Sequence, residues 1–293
     1  MGFAQAHYSA GGRWVSRVNI EISAGNAPQK EREIMKVVTL LNEKGGVGKT
    51  TNSINIAAGL AIKGHRVLLI DADAQANATQ SFGVKEAPGL YDLLLRDAEW
   101  GDYLAAPSES VWSPEKPKGS LWLLPGNVET RLIPMGTSDV TLLYERLQEV
   151  ADAVDVVVID TPPTPSMLQA LLFVATDYAI YPTKCEQLAL EGVAKTQKHL
   201  AGLEAHRQHL GEEATALLGV QPTLYDIRTN AHEYGLSCIT SAFKRRAWPA
   251  LPMRTVYRDA SFSGKILFAY APEDNPAVIE NWALVDRVRR GVA

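Results

Sequence analysis

The chain has 293 residues, 46% hydrophobic and 21% charged, a balance that fits one large or two modest globular domains and buries most apolar surface without staples. Its net charge of −4 excludes a globally basic nucleic-acid binder, so any contact with DNA needs a local patch. Cys185 and Cys238 lie far apart without metal-ligand spacing, which excludes a disulfide framework and fits small core residues in a reducing cytoplasm. No run approaches the roughly 18 apolar residues of a membrane span.

Met1–Ala24 is polar, interrupted by arginines, and lacks a signal-peptide core. Residues 1–34 have weak periodicity and read as an arm, a mobile tail or an over-extended start ahead of Met35. Residues 35–293 read as a single domain. Val37–Asn42 predicts a buried strand, Glu43–Thr51 a glycine-rich loop, and Thr51–Lys63 a helix ended by Gly64. Arg66–Ile70 predicts a second strand, closed by Asp71, and Leu90–Leu95 a short helix. The proline- and serine-rich stretch Ala105–Gly119 reads as a surface loop. Leu121–Leu124 reads as a strand. Leu142, Leu143, Leu147 and Val150 give Thr141–Ala151 helical spacing. Val156–Ile159 is a third buried strand, ending in Asp160. Further strands are expected at Tyr178–Tyr181, Leu217–Val220 and Met253–Val256, and further helices at Leu188–His209, Ala231–Arg245 and Pro276–Arg289. Continuous apolar strands alternating with helices predict an α/β fold with a mainly parallel central sheet flanked by helices.

The strongest chemical signal is Glu43-Lys44-Gly45-Gly46-Val47-Gly48-Lys49-Thr50-Thr51, between an apolar strand and a helix. Glycines let the backbone turn tightly enough for its N–H groups to point at phosphate oxygens, and the helix adds its positive end. In such a P-loop Lys49 reaches the β- and γ-phosphates and Thr50 offers its hydroxyl to Mg²⁺. The generic pattern has glycine seven positions before the final Ser/Thr. Here that position is Glu43, and a second lysine, Lys44, precedes the glycine pair.

Magnesium nucleotide also needs carboxylates for the metal's water shell and for the attacking water. Asp71 and Asp73 follow one buried strand and Asp160 another, at the strand ends where an open parallel sheet binds ligands.

The loop with Lys44 resembles the deviant Walker A motif of the ParA/MinD superfamily, and within it the ParA-type partition ATPases. That family reads Asp-x-Asp-Pro-Gln-Gly-Asn after its second strand. Here Asp71, Asp73, Gln75 and Asn77 match, while Ala74 and Ala76 replace the proline and glycine. Pro162–Pro163 fits the family's switch II. Ala189-Leu190-Glu191-Gly192 fits a helix start. Asp259–Lys265 loosely resembles a late motif, so the likeness runs from Lys36 to the C-terminus. It implies a P-loop ATPase fold for residues 35–293 and a slow ATP hydrolase stimulated by a partner. Lys44, Lys49 and Asp73 would be catalytic, with Lys44 reaching the nucleotide of a dimer partner and Asp73 orienting water. ATP would be bound by Lys44, Gly45, Gly46, Val47, Gly48, Lys49, Thr50 and Thr51, with Thr223 and Pro252 near the adenine. Thr50, Asp160 and Asp71 would hold magnesium, the aspartates through waters.

The resemblance further implies an ATP-dependent homodimer that binds double-stranded DNA non-specifically. It would segregate a chromosome or plasmid with a ParB-like centromere-binding partner, on the nucleoid in the cytoplasm. Arg228, Lys244, Arg245, Arg246, Arg254, Arg258 and Lys265 are the candidate DNA contacts, diluted by Asp226, Glu233 and Asp259. The competing class is a membrane-surface ATPase resembling MinD, for which Val278, Trp282, Val285 and Val288 offer an apolar face on the last helix; Glu280 and Asp286 disfavour anionic lipid. Metabolic members of the superfamily and ATPases that position other cargo are further alternatives. For iron–sulfur versions the two cysteines have no fitting context.

Overall fold

The computed structural model describes residues 34–85, 87–186 and 189–293. The extension expected at residues 1–34 thus lies, but for Ile34, outside the described residues, as do Gln187 and Leu188 at the start of a predicted helix.

The strands are β1 (Lys36–Leu40), β2 (Arg66–Asp71), β3 (Ser120–Leu124), β4 (Val156–Asp160), β5 (Tyr178–Lys184) and β6 (Ala216–Thr223). They form one sheet in the order β3-β2-β4-β1-β5-β6, every pair parallel. Val, Ile and Leu dominate these strands because both sheet faces are covered, and the side chains sort with a period of two. Val38, Leu40, Val67, Leu69, Val156 and Val158 enter one core, while Val37, Leu68, Ile70, Val157 and Ile159 enter the other. A third cluster packs on the β5–β6 side.

The first core is closed by α1 (Lys49–Ile62) and the last helix, Pro276–Val292. Gly59 lets these two helices approach: a Cβ there would fall 2.4 Å from Val285 Cγ2. Between them in the chain lie α2 (Asn77–Ser81), α3 (Leu90–Leu95), α4 (Leu142–Gln148), α5 (Met167–Val174), α6 (Ala189–Ala201), α7 (Glu204–His209), α8 (Asn230–Phe243) and α9 (Val256–Phe262). The last helix is α10. Its Val278, Val285 and Val288 are buried in the first core, and Trp282 stacks on Phe268 at 4.2 Å. The apolar face weighed for a membrane surface is therefore spent on the core. Among the described residues, no helix is long and apolar enough to cross a membrane.

Several expected elements differ. Ala105–Gly119 is not purely a surface loop. It contains the helical turn Glu109–Trp112 and buries Trp112, and Ala105 bridges to Leu123. The predicted helix Leu188–His209 is broken at Gly202 into α6 and α7. The helix expected to reach Arg245 ends at Phe243, and Lys244–Arg246 forms a 3₁₀ turn. Met253–Val256 is no strand. Pro252, lacking an N–H, makes one isolated bridge to Tyr225, and α9 starts at Val256. Cys185 is buried and Cys238 half-buried, both as free thiols.

Candidate active site

The carboxyl ends of β1, β2 and β4 meet at one edge, with Leu40 and Asp71 each in register with Asp160. The loop after β1 wraps over this edge and turns into α1. Gly46 and Gly48 adopt φ of +67° and +83°, the left-handed region in which a side chain is strained. Beyond Gly48 the helix begins at Lys49, so the first main-chain N–H groups of the helix lack a carbonyl partner one turn back within it.

Buried contacts hold the loop. Thr223, at the end of β6, donates its hydroxyl to Val47 O at 2.7 Å and Thr183 O at 3.2 Å. Asn42 donates to Pro182 O at 2.8 Å and accepts from Lys44 N at 2.9 Å. Lys49 is buried and folds its Nζ onto Asn42 O at 2.8 Å and Lys44 O at 3.4 Å. Burial pushes the Lys49 ammonium below its ordinary range, and the charges of Asp160 and Asp73 pull it partly back. Phosphate oxygens in the loop would replace those two carbonyls as its acceptors.

Asp160 is fully buried. Its Oδ1 accepts from Ser53 Oγ at 3.1 Å, and its Oδ2 has no hydrogen-bond partner. Burial first, then the neighbouring Asp71, raises its pKa to about 7, while hydroxyls of Thr50 and Ser53 oppose the rise. A buried carboxylate oxygen left unpaired beside the Thr50 hydroxyl is a hard-oxygen donor set that suits a hydrated magnesium ion. Once bound, that ion would neutralise phosphate charge.

Asp71 is fully buried and bonded to residues 72–79 after β2, the stretch that is a switch loop in the family this chain resembles. Its Oδ2 accepts from Thr79 N and Thr79 Oγ1, both at 2.8 Å, and its Oδ1 from Asp73 N at 3.2 Å. Burial lifts its pKa to about 6 against those hydrogen bonds. Gly126 lies where any Cβ would fall 2.7 Å from the carbonyls of Asp71 and Asp73. Asp73 itself is half-buried and accepts from Gln75 N at 3.0 Å. Pro252 is half-buried beside Tyr225, one residue on from the turn at Leu224. A cavity of about 500 Å³ opens against Thr50 and Thr51 and is also lined by Asn77, Gln80, Tyr257 and Lys265.

Lys44 is turned away from this pocket. Its ammonium pairs with Glu186, in the segment after β5, and keeps 49% of its side-chain exposure. Of the contributors just described, Asn42, Ser53, Thr79 and Glu186 were not among the expected site residues. Ser53 had a signal, its position one helical turn after Thr50. Glu186 lies 142 residues from its partner, and only the fold brings them together.

The basic residues expected to touch DNA separate into two groups. The Arg228 guanidinium makes two hydrogen bonds to Asp226, at 2.9 and 2.8 Å, and that of Arg254 two to Glu280, at 3.1 and 2.5 Å. The exposed Lys244, Arg245, Arg246 and Arg258 have no ion pair among the described residues, and Lys265 only a long contact to Ala269 O. The Lys244–Arg246 turn is anchored below by Trp248, whose main-chain N–H donates to Val220 O at 2.9 Å and whose ring covers Gly219.

Residues 35–210 match the AAA domain family model, more than half the chain. The sporulation initiation inhibitor protein Soj of Bacillus subtilis is 31% identical over 253 residues, covering 83% of this chain and 94% of that protein. The chromosome-partitioning ATPase Soj of Thermus thermophilus is 34% identical over 242 residues, covering 82% and 90%. An ATP complex of Cyanothece McdA superposes with a TM-score of 0.72 at 20% identity, covering 88% of this chain and 98% of that one. The Mg-ADP complex of the septum site-determining protein MinD from Pyrococcus horikoshii superposes at 0.69 with 22% identity, covering 89% and 99%, and at this identity both structures speak for the fold alone. The chain belongs to the ParA family of P-loop partition ATPases, with Soj among its relatives, and hydrolyses ATP.

Proposed function

We propose that this ATPase is a nucleotide-switched dimer that binds double-stranded DNA non-specifically in its ATP state and segregates a chromosome or plasmid with a ParB-like partner. The observation that carries this reading is the division of labour between the two loop lysines. Lys49 is folded into its own phosphate site, whereas Lys44 is turned outward onto Glu186 and half exposed. An outward ammonium at the mouth of a phosphate loop suits a nucleotide held by a second copy, so each subunit completes the other's site, as an arginine finger does. The kinship with a protein named as a chromosome-partitioning ATPase supports the cargo.

In this scheme the loop from Gly45 to Thr51 cradles the phosphates and Lys49 neutralises them. Thr50 and Asp160 hold the magnesium, and Asp71 acts on it only through water. Asp73 positions the attacking water from the switch segment. The Thr223 hydroxyl is spent on the loop, so its part near the base falls to its methyl group, and Pro252 is the second candidate there.

DNA contact falls first on Lys244, Arg245, Arg246 and Arg258, which need not break an internal pair, and then on Lys265. Arg228 and Arg254 would have to leave Asp226 and Glu280. Dimerisation doubles a weak patch, which gives ATP a handle on DNA affinity. If a dimer neutralises about four phosphates, raising salt from about 50 to about 200 mM weakens binding roughly 100-fold or more. Co-sedimentation with random-sequence duplex in ATP, in ADP and without nucleotide tests the scheme. Binding is expected with ATP alone; equal binding in all three conditions would contradict it. Flotation with anionic liposomes in the same conditions would instead favour a membrane-surface role.

A further inference from the structure

Glu43 takes the position where a generic phosphate loop has glycine, and nothing in the chemistry above uses it. Its side chain is only 11% exposed, although Lys44, Gly45 and Gly46 beside it are exposed. It is held by α6. Lys195 Nζ lies 2.7 Å from Oε2, and His199 Nδ1 lies 2.8 Å from Oε1 but off the line of a hydrogen bond. Lys195 and His199 are four residues apart and so share one face of the helix. The first turn of α6 also borders the loop entry: a Cβ on Gly192 would stand 3.7 Å from Asn42 Oδ1. Lys44 meanwhile pairs with Glu186 just ahead of α6, and Lys184 stands 3.9 Å from the same carboxylate. Two adjacent loop residues of opposite charge are thus tied crosswise to one segment, the acid to its cations and the cation to its acid.

We infer that Glu43 is a positioning residue for Lys44. It fixes the backbone at the loop entry to α6, so that Lys44 leaves Glu186 by turning its own side chain while the loop stays in place. A lysine delivered to a second molecule gains from a fixed base, because ordering done before closure is not charged against the contact when it forms. This inference rests on the dimer reading above, in which Lys44 acts on the partner's nucleotide.

Sedimentation of the full chain with magnesium and a non-hydrolysable ATP analogue tests it. The comparison takes wild type, Glu43→Gln, the double variant Lys195→Gln with His199→Gln, and all three changes together. Lys195 and His199 are 62% and 43% exposed, so replacing them leaves the core intact. Glu43→Gln and the double variant should each weaken dimerisation about tenfold, the scale of one charge-assisted contact. The triple variant should be no worse than either, because all remove the same tie. Calorimetric affinity of the monomer for ADP should stay within about twofold, because the phosphate cradle itself is untouched. Additive losses, or loss of ADP affinity in parallel, would make the contact merely structural and overturn the inference. So would variants that dimerise as well as wild type, which would leave the dimer reading standing. A wild type that stays monomeric with the analogue would overturn both.

Discussion

Ala76 has φ of +53° at the start of α2, where the related family has glycine. A left-handed alanine costs about 1–2 kcal/mol, and glycine forfeits about 0.5–1 kcal/mol of that saving through its freer unfolded chain. Ala76→Gly should therefore stabilise the protein by about 0.5–1 kcal/mol in urea titration. A neutral or negative change would mean that the switch loop is not under this strain. The carboxylates beneath it set a pH dependence. Asp71 and Asp160 have pKa values raised from the ordinary 3.8 to about 6 and about 7, chiefly by burial. Between those limits the folded state binds more protons than the unfolded one. The associated stability is complete below about pH 4 and is lost as pH rises to about 7. In chelator and without nucleotide, the thermal midpoint should fall across that interval, and Asp160→Asn should flatten the fall. An Asp160→Asn protein whose midpoint falls as steeply as that of wild type would contradict the raised pKa of Asp160.

Helix packing gives a separate check on how α10 is held. Gly59→Ala would drive a methyl group to 2.4 Å from Val285, so α10 must shift outward. Overpacking of this kind costs about 1–3 kcal/mol. Val285→Ala, which opens a cavity by itself, should partly rescue Gly59→Ala, and the departure from additivity in chemical denaturation would measure the contact. Strictly additive losses would mean that the helices do not meet at this point. The strands and the phosphate loop were legible in the sequence because their signals are local. Runs such as Val156–Ile159 are apolar on both faces and end in Asp160, and paired glycines between strand and helix have few other uses. Trp112 was not legible: proline and serine around it speak for a loop, whereas its burial depends on packing against distant residues. Met253–Val256 misled because short apolar runs fit either a strand or the approach to a helix. The Lys44–Glu186 and Glu43–Lys195 pairs were hidden for another reason, since charge complementarity across more than 140 residues has no periodicity to betray it.

At the scale of the whole molecule, Lys44 and Asp73 should fail in opposite directions. Lys44 serves closure: its ammonium must exchange Glu186 for phosphate on a second copy, trading one carboxylate for a more highly charged partner. Asp73 serves turnover, from a half-buried position on a segment tied to Asp71 and Thr79. Lys44→Ala should thus leave ATP affinity within a few-fold but keep the chain monomeric on size exclusion and off DNA. Asp73→Ala should form the dimer with ATP, retain random-sequence duplex, and hydrolyse roughly 10²-fold more slowly, the usual scale for a positioned acid–base group. Because the slow variant stays closed, its DNA complex should outlast that of wild type once free ATP is removed. An Asp73→Ala protein that turns over ATP at the wild-type rate would remove Asp73 from the water's path. A Lys44→Ala protein that still dimerises and binds DNA with ATP would mean that closure needs no borrowed lysine, leaving Lys49 and the loop amides to grip the phosphates alone.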